Sequence, residues 1–215
     1  DLAFLASDEL RGRNTPSPRF DAAADYIAAR LARAGLAPAG DAGGFRQHYE
    51  LHETRVETES ASLTVGERRF ALGRDVALRS FATPLAGPLA VVYVQHGWVI
   101  PGRGIDPYAG VDVRGKLVVA HGPRVLPRGV EVSQVGRVAV GAETPLVAAA
   151  KRGAAGVLFI TQASDLVRWD EVRAANTVRR EMSPEVPSAY AAVPVTSLLM
   201  APHVTDALFA GEGLD

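Results

Sequence analysis

The chain has 215 residues, no cysteine, and 23 Lys and Arg against 24 Asp and Glu. Without cysteine there is no disulfide scaffold, no thiolate zinc site and no cysteine nucleophile, and interspersed charges leave no basic stripe for nucleic acid. A hydrophobic content of 47% is ample for a packed core, and no stretch reaches the roughly 18 consecutive apolar residues of a membrane helix, so neither a nucleic-acid nor a membrane partner is expected.

In chain order, DLAFLASDEL spaces Leu2, Leu5 and Leu10 for a helix over 1–10, which Gly12, Pro16 and Pro18 end in a loop. Because the first residue is not Met and already lies in that helix, any signal peptide is expected upstream. Ser17 then caps a second helix, with Pro18 at its first position. Phe20, Ala24, Ile27, Leu31 and Ala34 form one apolar stripe before Gly35. After a Gly-, Ala- and Pro-rich loop, FRQHYELH alternates Phe45, Gln47, Tyr49 and Leu51 on one face, as a strand does.

From there the composition turns β-rich, which puts a boundary near 50 to 55 and two domains at 1–52 and 53–215. Ser62 to Val65 and Arg68 to Leu72 read as a hairpin whose Gly66-Glu67 turn suits type II′. Leu89 to Gln95 reads as a buried strand, followed by a long loop with glycines at 97, 102, 104, 110 and 115.

The apolar runs Lys116 to Ala120 and Val157 to Ile160 read as buried strands, joined by a helix that Thr144 caps, Pro145 starts and Gly153 ends. A strand–helix–strand unit of this kind implies an α/β class. Leu166 to Arg180 carries Leu166, Trp169, Val172 and Ala175 at helical spacing, so an exposed helix is expected. The stretch from Val186 to Val193 reads as irregular, Pro194 to Met200 as a strand and Pro202 to Ala210 as a closing helix.

The five histidines, at 48, 52, 96, 121 and 203, form no H-E-x-x-H, and no G-x-S-x-G or P-loop pattern is present. His48, Glu50 and His52 would share one strand face, and two imidazoles with a carboxylate can hold a divalent ion; a solvated strand face is the competing reading. Asp8 and Glu9 are adjacent, so on a helix they diverge and read as a surface helix end. His203 sits near a helix start, where exposure is the default. Trp98 and Tyr108 either present a recognition surface or pack beneath their glycine-rich loop. On these grounds alone, no active site is visible.

Two segments carry a resemblance. DELRGRNTPSPRFDAAADYIAARLARAGLAPAGDAGGFRQHYEL is similar to the opening of secreted zinc aminopeptidases related to aminopeptidase Y and glutamate carboxypeptidase, which begin with an SDEL-GR turn and this helix. YAGVDVRGKLVVAHG, with AAAKRGAAGVLFI and VPVTSLLM after it, resembles the protease-associated domain inserted into those enzymes.

The resemblance implies an α+β fold, with a β-rich sheet or open barrel flanked by short helices after an N-terminal helical segment. It also implies that two zinc ions are held after the insert, by a His-x-Asp pair, a Glu-Glu doublet and a distant histidine. This sequence holds neither His-x-Asp nor Glu-Glu, so no catalytic, cofactor or metal residue is carried over to it. The expectations are a non-catalytic, secreted or periplasmic fragment whose partners are its parent's catalytic domain and peptide substrates, with self-association through the N-terminal helix as a further route. A free-standing sorting or interaction module is the alternative, and 166–184 departs from the pattern as an insertion of unknown role.

Overall fold

In the computed structural model the described residues are 1–55, 59–80, 82, 84–131, 141–177, 180–184 and 195–211. The irregular segment expected at 186–193 lies outside them. Two compact units divide the chain, 1–51 and 52–215.

The first unit is helical. The helix expected over 1–10 is instead one turn, α1 (Leu2–Leu5), and a 3-10 stretch, Asp8–Arg13, separated by an extended Ser7. Four residues are too few to hold a helix by propensity, and Asp1 is committed elsewhere. Its carboxylate accepts from the Tyr26 hydroxyl at 2.5 Å and from Arg30 at 2.9 Å. Arg11 (φ 42°), Gly12 (φ 78°) and Arg13 (φ 52°) then reverse the chain in left-handed conformations. α2 (Pro18–Arg33) starts where expected, with Ser17 Oγ accepting the Phe20 N–H at 3.2 Å.

The strand expected over 45–52 is shorter and later. β1 spans Leu51–Arg55, and residues 46–50 have no regular structure. Their backbone groups are taken by the preceding loop: the Asp41 N–H donates to Arg46 O at 2.7 Å, and Asp41 Oδ2 accepts the His48 N–H at 2.6 Å.

The second unit is built on an open five-stranded sheet. β4 (Val76–Ser80), β5 (Val91–Tyr93), β6 (Leu117–His121), β7 (Gly156–Ile160) and β9 (Thr196–Met200) lie in the order β4-β9-β7-β6-β5, with only β4 antiparallel to its neighbour. Two further pairs form separate two-stranded sheets: β2 (Ser62–Val65) with β3 (Arg68–Ala71), and β1 with β8 (Arg180–Pro184). The fold is a mixed α+β fold. Gly66 has φ 58°, as the expected two-residue turn requires.

Alternate residues of the central strands serve two cores. Val118, Ala120, Val157 and Phe159 pack against Ala148 and Ala149 of α3 (Pro145–Lys151), with Tyr108 and Val113 from the long loop. Leu117, Val119, Leu158 and Met200 pack against Phe70 of β3 and Val204 of α6 (Pro202–Leu208). Cover on both faces is why LVVA and VLFI are continuous apolar runs rather than alternating ones.

α3 begins at Thr144, whose Oγ1 accepts the Val147 N–H at 3.4 Å, and ends at a left-handed Gly153. The exposed helix expected over 166–180 is two helices, α4 (Ala163–Leu166) and α5 (Trp169–Thr177), with a turn at Val167–Arg168. Trp169 and Val172 are drawn onto the core, so packing rather than helical periodicity sets the break.

Candidate functional site

The segments around Gly115 and Gly153 meet. The Gly115 N–H donates to Gly153 O at 2.8 Å, and the Ala155 N–H donates to Lys116 O at 2.9 Å, just before β6 and β7 pair at Leu117 and Gly156. Asp112 shapes the approach: its Oδ1 accepts the Arg114 N–H at 3.1 Å, and its carbonyl accepts Lys116 Nζ at 2.8 Å. That backbone N–H first, and then the lysine, hold the Asp112 carboxyl below its usual range. These residues knit the scaffold.

Beside this joint, Glu143 accepts from Lys151 Nζ at 2.7 Å and from Arg152 at 2.8 Å, which lowers its pKa. The Arg152 guanidinium lies 4.7 Å from the centre of the Tyr108 ring. Tyr108 is buried, which pushes its hydroxyl well up. Trp98 is buried too, packed with Ile100 and Val130. Both aromatics therefore pack beneath the loop and present no recognition surface.

At the carboxyl ends of β5 and β6, the Tyr93 hydroxyl and His121 Nε2 are 2.7 Å apart, and His96 Nδ1 accepts the Trp98 N–H at 3.0 Å. Burial lowers the His96 pKa, and His121 adds to the effect. The parallel pairing of β5 with β6 brings these strand ends together. Tyr93 and His121 can share a proton, and among the described residues no three His, Asp or Glu side chains gather here.

His203 is not simply exposed. Its Nε2 lies 3.1 Å from Oδ1 of the buried Asp75, which also accepts the Ala71 N–H and the Arg74 guanidinium, each at 2.8 Å. No sequence signal links two residues this far apart.

The stretch 48–52 does not run as one strand. His48 and Glu50 are exposed outside any strand, and His48 Nδ1 lies 3.2 Å from Asp41 Oδ2. The His48 backbone N–H, followed by its ring, lowers the Asp41 pKa. The His52 side chain lies outside the described residues. Asp8 and Glu9 are exposed at the opening of the 3-10 stretch. Among the described residues no three His, Asp or Glu side chains converge on a metal position.

The first unit presents a groove of ≈ 430 Å³, in which Phe20, Ala24 and Ile27 of α2 and Phe45, Tyr49 and Leu51 are joined by Asp21, Arg46 and His48. Phe20 and Ile27 are 39% and 46% exposed.

No family model matches the chain, and neither does any curated protein. Among solved structures it is similar to the aminopeptidase from Aneurinibacillus sp. strain AM-1, at 15% identity and a TM-score of 0.42. The similarity covers 91% of this chain and 36% of that one, so the chain spans little more than a third of its length.

Proposed function

We propose that the chain is the N-terminal lead-in and protease-associated domain of a secreted or periplasmic zinc-dependent exopeptidase of the aminopeptidase type, and that it is itself non-catalytic. The observation that carries the reading is the interlock of VDVRGK with KRGAAG. The stretches whose wording resembles the protease-associated domain, 36 residues apart between Gly115 and Lys151, complete one another's backbone hydrogen bonds, Gly115 to Gly153 and Ala155 to Lys116. Residues so committed to scaffold account for a shared pattern that contains no catalyst.

In this reading residues 1–52 belong with the catalytic domain, and 53–215 are the insert that shapes substrate access or protein contacts. The apolar stripe of α2 supports the first part. An exposed groove of this composition is a docking face for another protein surface, here the catalytic domain of the same parent protein. The two zinc ions belong to that domain, because the donor set described in this chain does not fit one.

The test is hydrolysis of leucine p-nitroanilide by the purified 215-residue chain with added zinc. No turnover above buffer is expected. Zinc-dependent turnover that a chelator abolishes would sink the proposal.

A further inference from the structure

A second groove lies wholly within the second unit, with a volume of ≈ 720 Å³, within the range of sites that take small ligands. One wall is Ser62–Gly66, the other is the segment 85–89 with Val91, and Leu117, Leu158, Leu198 and Leu208 form the floor. Among the described residues that line it, none is charged. An occupant carrying charge would lose its hydration without gaining a partner, so nucleic acid and lipid headgroups are disfavoured and an uncharged chain is required.

The wall at β2 decides what kind of chain. Around a two-residue turn Val65 and Arg68 form a hydrogen-bonded pair, and the pairing alternates outward, so Leu63 with Phe70 is bonded and Thr64 with Arg69 is not. The Leu72 N–H donating to Ala61 O at 3.2 Å continues that alternation. The backbone N–H and C=O of Ser62 and Thr64 therefore point away from β3. Among the described residues β2 pairs with β3 alone. Since Ser62–Gly66 line the groove and β3 does not, the edge of β2 that has no partner among the described residues borders it.

An unpaired strand edge beside an uncharged apolar groove is the arrangement in which a peptide adds as a further strand: main-chain bonds supply affinity, and alternate side chains enter the groove. From this juxtaposition we infer that the groove binds an extended peptide segment with apolar side chains at every second position, hydrogen-bonded to Ser62 and Thr64. The inference rests on the groove and the edge, and does not require the peptidase reading.

The probe is a fluorescein-labelled hexapeptide alternating leucine and serine, followed by polarisation with the full 215-residue chain. Two twins carry backbone N-methyl groups, one at every leucine and one at every serine. Saturable binding is expected for the parent peptide. One twin should weaken by about tenfold or more while the other stays close to the parent, because only one set of N–H groups can face β2.

Thr64→Pro removes an outward N–H and leaves the hairpin ladder intact, so it should weaken binding similarly. If circular dichroism shows that variant unfolded, Val91→Glu serves in its place, since Val91 is 43% exposed and a charge there enters the groove. Equal binding of both twins would make the site a pocket for any apolar chain and overturn strand addition. Absence of saturable binding by the parent peptide would overturn the site altogether.

Discussion

Replacing Asp75 with Asn should cost about 2 to 3 kcal/mol near neutral pH and almost nothing in strong acid. The residue is 6% exposed. It is nevertheless charged, because the Arg74 guanidinium, the Ala71 N–H and His203 Nε2 all donate to it. The Arg74 hydrogen bond is the largest cause of a pKa of about 2 against the ordinary 3.8, and it outweighs burial, which acts in the opposite direction.

A lowered pKa means that the folded state favours the charged form. The stabilisation is complete above the unfolded value and is lost as pH falls from about 4 towards 2. Just under two units at roughly 1.4 kcal/mol each gives the stated magnitude. Asn keeps one acceptor oxygen, so the Ala71 N–H stays satisfied and the loss reports the charge. Urea unfolding of both proteins, followed by circular dichroism from about pH 7 to about pH 2.5, reads it directly. A difference that stays constant with pH, or one below about 0.5 kcal/mol at neutrality, would refute the reasoning.

Gly97→Ala should destabilise by about 2 to 4 kcal/mol in the same urea assay. Gly97 has φ 69°, and a Cβ there would meet Pro145 Cβ at 3.0 Å and Ala120 Cβ at 3.2 Å. Gly110→Ala, at φ 74° in open space, carries the backbone strain alone and should cost about 1 kcal/mol; equal costs would deny the steric part. Zinc titrated calorimetrically into the chain should give the same heat before and after the paired substitutions His48→Ala and His52→Ala. A binding heat that the paired variant loses would restore the metal face.

The strand at 45–52 shows why some elements could not be read locally. Alternation over Phe45, Gln47, Tyr49 and Leu51 is a statement about faces, whereas a strand also needs a ladder partner. Asp41 occupies the His48 N–H and residues 46–50 stay outside a ladder, so His48 and Glu50 share no strand face. The break between α4 and α5 has the same origin: helical spacing predicted one exposed helix, and burial of Trp169 and Val172 shortened it.

By itself the sequence determined what short-range chemistry controls. Ser17 and Thr144 cap their helices, Gly66 makes the hairpin turn, Gly153 ends α3, and β6 and β7 lie in apolar runs that a sheet covered on both faces requires. Each depends on neighbours within a few residues, so the signal is local. Only the tertiary structure decided which distant groups meet: Asp75 with His203, Tyr93 with His121, and the edge of β2 beside a leucine floor. Those meetings follow from sheet order and from the packing of two cores, which no spacing along the chain encodes.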